Sequence, residues 1–289
     1  MSTEPLEIPD WVQELDEYTE SINMMVYSDP GVGKTVFGGS YGKRSLIIAT
    51  ENGTVAAARQ GSQASVADCR GDWMKFEAVT EWLQENAEKP NFPYDWVIID
   101  TGTALQDIIL QDIVQTAVDV DKEGKRSRDK YELQEWGEGH NRFRRYVGYY
   151  NDLAVHTLWL AHAMNWENEE GDVIRMPKFQ GKNEQMSVWM SAQMHCYGYM
   201  HMVSVDVPDK GIVQRRQIEW QANSKWRAKD RFDVLGKPRG YTRGKNLKQL
   251  TDVILADAAA EEPKTPAPVK KAPAKKAAPA AAIKKEGTE

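Results

Sequence analysis

The stretch VYSDPGVGKTVF, residues 26–37, places two glycines, a lysine and a hydroxyl where they can hold a phosphate. Backbone N–H groups freed by glycine curl around phosphate oxygens, a lysine reaches the outer phosphates, and a hydroxyl ligates Mg²⁺. Gly31, Gly33, Lys34 and Thr35 supply these parts, and Ser28, Asp29, Pro30, Val32 and Val36 complete the candidate loop. Ser28 stands where such loops usually open on glycine. A serine is tolerable there if the backbone avoids positive φ, and Pro30 stiffens the turn before Gly31. A structural loop that has lost its ligand is the competing reading, and the intact Gly-Lys-Thr speaks against it. Downstream, WVIID sets four apolar residues before Asp100. That pattern predicts a buried strand presenting a carboxylate to Mg²⁺, usually through water.

Other polar residues stand at the ends of apolar runs. Glu51 follows SLIIAT, Thr101 follows Asp100, and His162 closes HTLWLAH. Lys229 and Arg231 lie one residue apart in SKWRAKDRF. Each has a plainer alternative: Glu51 as a surface residue beside Asn52-Gly53, His162 as a hydrogen-bonded strand end, and the Lys-x-Arg pair as a solvated basic turn shared with Lys225 and Arg227. The loop 119–134 carries Lys122, Lys125, Arg126, Arg128 and Lys130 beside Tyr131, a composition suited to phosphates and a stacked base. Charged loops are also commonly just solvated. A second candidate for nucleic-acid contact is a loop over 163–183, with Trp166, Arg175, Lys178, Phe179 and Lys182 set among Glu167, Glu169, Glu170 and Asp172. Arg142, Arg144 and Arg145, set among Phe143, Tyr146, Tyr149 and Tyr150, read as the rim of a packing face.

The elements that must position these residues alternate. Strands are expected at 22–28, 45–50, 95–100 and 156–162, and helices from Lys34, across 72–89, 103–118 and 135–153. After residue 194 two longer strands meet at Pro208-Asp209-Lys210-Gly211. Such β-α alternation followed by a hairpin predicts an α/β fold with a mainly parallel central sheet, flanking helices and a C-terminal antiparallel extension.

The 289 residues carry a formal charge of −6 and 41% hydrophobic residues, enough for one sizeable core. Residues 1–20 hold seven acids and no base, the reverse of a secretory leader. No run approaches the ~18 apolar residues of a membrane span, and two cysteines make neither a disulfide framework nor a metal site. A reduced, cytoplasmic protein is expected. The segment from residue 259, rich in Ala, Pro and Lys, is expected to be disordered. The division is then an acidic segment 1–20, a domain 21–258 and a tail 259–289. The acidic balance means that any nucleic-acid contact must be local or assembled from several subunits.

In order along the chain, SDPGVGKT, IIATENG, VIIDTGTAL, TLWLAH and AKDRF resemble the RecA-like P-loop ATPase core. The likeness is greatest to the short phage RecA-like proteins associated with single-strand annealing, and it spans residues 20–257. It implies ATP and Mg²⁺ as cofactors, with Thr35 and Asp100 on the metal and Lys34 on the phosphates. It further implies Glu51 as the base that polarises the attacking water, His162 as a γ-phosphate sensor, and Lys229 and Arg231 as fingers into a neighbouring subunit. The implied protein is a DNA-stimulated recombination ATPase, a filament or ring on single-stranded DNA. A separate single-strand-binding protein is a candidate partner. An ATPase that loads or remodels a replication protein is the alternative. A P-loop small-molecule kinase would leave the Lys-x-Arg pair and the terminal hairpin unexplained.

Overall fold

The computed structural model describes residues 21–167, 170–182 and 184–260. The acidic segment 1–20, with its apolar Ile8, Trp11, Val12 and Leu15, lies outside the described residues, as does the tail beyond Ala260.

Six strands form the parallel part of one sheet: β1 (Asn23–Ser28), β2 (Ser45–Ala49), β3 (Ser65–Asp68), β4 (Trp96–Asp100), β5 (His156–Glu167) and the start of β7 (Cys196–Val207). β6 (Val173–Pro177) pairs with the far half of β5, while β8 (Gly211–Glu219), β9 (Lys229–Asp230) and β10 (Tyr241–Arg243) extend the sheet antiparallel. The order is β10-β8-β7-β1-β5-β4-β2-β3. All of β1, β2 and β4 is buried, which is why these strands read as unbroken apolar runs.

Period-two alternation divides their side chains between two cores. Met25, Tyr27, Val97 and Ile99 face α3 (Trp73–Asn86), α4 (Gly102–Val120), α5 (Leu133–Asn151) and α6 (Gln185–Gln193). Met24, Val26, Trp96 and Ile98 face α1 (Lys34–Gly38) and α7 (Leu247–Ala260). The remaining helix is α2 (Thr54–Arg59). α3 starts where the Asp72 side chain accepts from Lys75 N at 3.0 Å, and α5 opens with a reciprocal capping box between Glu132 and Glu135.

The structure lengthens one expected strand. β5 does not stop at His162 but continues to Glu167, and residues 163–167 pair antiparallel with β6 where a loop is expected. This half of β5 leaves the buried sheet, so its sequence, AMNWE, loses the apolar run that marks the first half. Phe143, Tyr146 and Tyr150 are buried as expected, whereas Tyr149 is exposed. At the rim of this face Arg142 pairs with Asp112 and Glu138 and lies over the Trp73 ring.

Candidate phosphate-binding site

In parallel sheets ligands gather beyond the carboxyl ends of the strands. Here β1, β2, β4 and β5 deliver Ser28, Glu51, Asp100 and His162 to that one edge, with Ser28 directly beside His162 in register. Gly31 (φ 80°) and Gly33 (φ 105°) take the left-handed backbone of the loop, whereas Ser28 does not. The serine therefore carries no backbone strain at the position usually held by glycine. It is fully buried, and its Oγ donates to Asp29 O at 2.8 Å. Helix α1 begins at Lys34, with Gly33 as its N-cap and Phe37 N donating to Gly33 O at 2.9 Å.

Lys34 folds back over the strand exit. Its Nζ lies 3.4 Å from Ser28 O, 3.3 Å from Ser28 Oγ and 3.5 Å from His162 Nδ1. His162 Nε2 is 2.9 Å from Glu51 Oε2, which also accepts from Thr101 Oγ1 at 3.3 Å. The ammonium can only donate, so Nδ1 accepts and Nε2–H donates to the carboxylate. Glu51, His162 and Lys34 thus form one hydrogen-bonded chain with a defined tautomer. Burial pushes the Glu51 carboxyl up, but His162, Lys34 and Thr101 outweigh it and hold the group below its ordinary value. Burial lowers Lys34 against the opposing pull of Glu51, Asp100 and Asp29. With Glu51 30% and His162 25% exposed, the pair stands open to water. An ionised, partly exposed carboxylate of this kind can accept a proton from a water molecule.

Asp100 is fully buried, and neither of its carboxylate oxygens has a hydrogen-bond partner. Burial pushes its pKa up to about 6, with Glu51 adding repulsion and Thr35 and Lys34 opposing. A side chain at Gly53 would begin 2.6 Å from Thr35 Oγ1 and 3.3 Å from Asp100 Oδ2, so the hydroxyl and the carboxylate converge on one small space. An unpartnered buried carboxylate beside a hydroxyl is a donor set that suits Mg²⁺. Thr35 and Asp100 would hold it, and a bound Mg²⁺ supplies charge neutralisation for phosphoryl chemistry. Among the described residues no cluster of three or more His, Cys, Asp or Glu offers a metal site complete in itself.

Three further residues bear on the loop without any local sequence signal. Arg216 of β8 donates from Nε to Val32 O at 3.1 Å, and a side chain at Gly33 would meet its guanidinium at 2.6 Å. Arg175 of β6 pairs with Asp29 at 2.8 Å, and Tyr199 OH approaches the same carboxylate at 3.4 Å. They reach the loop through sheet register alone.

The Lys-x-Arg pair is not brought to this site. Lys229 Nζ donates to Ser191 O at 2.9 Å and Ala192 O at 3.3 Å, at the end of α6. Burial lowers its pKa to about 8, with Arg231 adding to the shift. Arg231 is exposed and bonds through its backbone to His195, near the start of β1 rather than its exit. Loop 119–134 is also apart, and much of its charge is neutralised internally. Arg126 pairs with Glu132 and Glu135, and Lys125 with Glu123 at 2.5 Å. Lys122, Arg128 and Lys130 are exposed there without acidic partners among the described residues.

A glycine-lysine-threonine turn between a buried parallel strand and a helix, with a buried Asp100 at a second strand end, defines a P-loop nucleotide-binding protein. The chain belongs to the AAA domain family AAA_24, whose pattern it matches over residues 20–232, and it is an ATPase of that type. No curated protein matches the chain. Among solved structures it is similar to an ATPase from the type III secretion system of pathogenic bacteria, at 10% identity and a TM-score of 0.36. That match covers 63% of this chain, which spans only 52% of the other. It is also similar to the flagellar accessory protein FlaH from Methanocaldococcus jannaschii, at 9% identity and a TM-score of 0.30, over 68% of this chain and 78% of that one. No described helix is long and apolar enough to cross a membrane.

Proposed function

We propose that the protein is an ATP-dependent DNA recombination protein that binds single-stranded DNA and promotes annealing. The observation that carries this reading is the His162 link. His162 joins Glu51 and Lys34 from the middle of β5, the strand that continues into the β5–β6 hairpin. In this reading a change at the phosphates passes along β5 to that hairpin, as coupling of hydrolysis to a bound polymer requires. In this reading Glu51 takes the proton of the attacking water, Lys34 holds the transferring phosphate, and His162 senses its departure. The position of Lys229 and Arg231, away from their own chain's phosphate loop, suits a role at a neighbouring subunit in a filament or ring. Lys122, Arg128 and Lys130 contribute phosphate contacts.

Turnover measured with Mg²⁺ and ATP, with and without a single-stranded oligonucleotide, tests the reading. DNA should raise the rate and ATP should shift the protein into a larger DNA-bound species. A protein that ignores single strands at low and moderate salt, and responds only to a replication protein, would instead be a loader. Mixing Glu51→Ala with Arg231→Ala subunits should restore part of the lost turnover, and no recovery at any ratio would exclude fingers acting between subunits.

A further inference from the structure

Charge is segregated along this acidic chain. Residues 208–248 hold twelve Lys and Arg against four Asp and Glu, whereas residues 1–207 hold eighteen against thirty-three. The basic stretch builds the antiparallel extension. Residues paired directly across β7, β8 and β10 point to the same side of the sheet. Tyr199, His201 and Val203 of β7 therefore share a face with Glu219, Gln217 and Arg215 of β8 and with Tyr241 and Arg243 of β10.

That face is aromatic at its inner end and cationic at its outer end. The Tyr199 and His201 rings lie parallel at 5°, 5.4 Å apart, and the Trp226 ring lies 6.0 and 5.9 Å from them. Arg243 lies 5.0 Å over the Tyr241 ring. Arg215, Arg243, Lys225 and Arg227 are exposed, and among the described residues none has an acidic partner. The face's acid, Glu219, is buried and occupied by His201 and Gln217 at 2.8 and 2.6 Å. Arg126 and Arg142, by contrast, are tied into ion pairs.

We infer that this face of β7, β8 and β10, with Trp226 beside it, is the surface on which a single nucleic-acid strand lies. The inference rests on the nucleic-acid reading above and moves its principal contact from loop 119–134 to the sheet extension. Unpaired cations track the phosphates of a single strand, and the partly exposed His201 and Trp226 rings, backed by the buried Tyr199, offer stacking faces to bases that are free of a duplex. The platform also adjoins the nucleotide edge. Tyr199 reaches Asp29 of the phosphate loop, and Tyr27 of β1 donates to Arg227 O at 2.6 Å.

The test is fluorescence anisotropy of a labelled oligo-dT with the full chain, Mg²⁺ and ATP, across a salt series. Arg215→Glu with Arg243→Glu should weaken binding at least tenfold and reduce the salt slope by about 1.4, the equivalent of two phosphate contacts. Trp226→Ala should weaken it about tenfold. Arg215→Lys with Arg243→Lys should retain binding, which keeps the test readable if the charge reversal fails to fold. Ultraviolet crosslinking of bromouracil-substituted oligonucleotide to the unmodified protein should label the peptide containing Trp226 or His201. Unchanged binding in a folded charge-reversed or Trp226→Ala protein, with loss in Lys122→Ala/Arg128→Ala/Lys130→Ala, would overturn the platform and leave the nucleic-acid reading standing. Equal competition by polyglutamate would also overturn it, reducing the face to an unspecific polyanion surface. No binding of oligo-dT by the wild-type protein would remove both.

Discussion

Loops 28–35 and 119–134 both follow core elements and both carry charge, yet their side chains are arranged in opposite ways. In the second, Arg126 and Lys125 are matched with nearby glutamates, and the Asp121 side chain accepts from Arg126 N and from Glu123 N at 3.0 Å. These contacts fold the loop, while Lys122, Arg128 and Lys130 stay exposed to water. Around the first, Asp100 is buried with no hydrogen-bond partner, Lys34 is buried against neutral acceptors, and Gly31 and Gly33 take the left-handed backbone of the loop. An uncompensated buried charge costs stability unless a ligand completes it. Chemical function is therefore to be sought where charge is left unpaired, and a high density of charge alone is a weaker sign.

Asp100→Asn should sharpen this contrast most. Turnover with Mg²⁺ should fall by about 10³-fold, while the ligand-free protein should become more stable. A carboxyl whose pKa rises on folding makes the folded state bind more protons, so stability falls as pH rises. The window runs from the ordinary value of 3.8 to about 6, and the cost above it is about 3 kcal/mol. Thermal melts at pH 4 and pH 7 check this. Between them the wild type should lose stability relative to the variant, since the other carboxylates titrate alike in both.

His162→Ala removes the partner that most opposes the effect of burial on Glu51. Glu51's pKa then rises, so more of it is protonated at a given low pH. The acid limb of the pH–rate profile should move to higher pH, and an unmoved limb would show that His162 does not set the charge of Glu51. A smaller effect is expected at Arg216, which steadies the loop from outside through Val32 O. Arg216→Ala should raise KM for ATP roughly 3- to 10-fold with kcat little changed. The least effect on turnover is expected in loop 119–134. Arg126→Ala should lower the melting temperature and spare basal turnover, whereas Lys122→Ala should alter neither.

How much of this was visible in the sequence follows from the geometry of parallel sheets. Consecutive β-α units bring every strand's carboxyl end to one edge, so Ser28, Glu51, Asp100 and His162 gather from linear order alone. The glycines mark their own positions through positive φ, and Ser28 is explained by its absence. Arg216, Arg175 and Tyr199 were not visible. Each reaches the phosphate loop because of the register between strands distant in sequence, and no spacing motif encodes that. The second half of β5 was hidden for a related reason: it is only partly buried and paired on one side, so it carries no continuous apolar run. Lys229 and Arg231 were visible as a pair, but their distance from their own phosphate loop appeared only once β9 was placed beside the start of β7.

The division of labour proposed for the nucleotide edge has one direct test: Glu51→Gln, which keeps the shape of the side chain and removes the carboxylate proposed as the base. ATP affinity and steady-state turnover should be measured on the same preparation. Affinity should stay within about threefold while turnover falls by about 10²- to 10⁴-fold. Turnover close to wild type with unchanged affinity would show that another group accepts the proton, and the chain from Glu51 through His162 to Lys34 would lose its catalytic role.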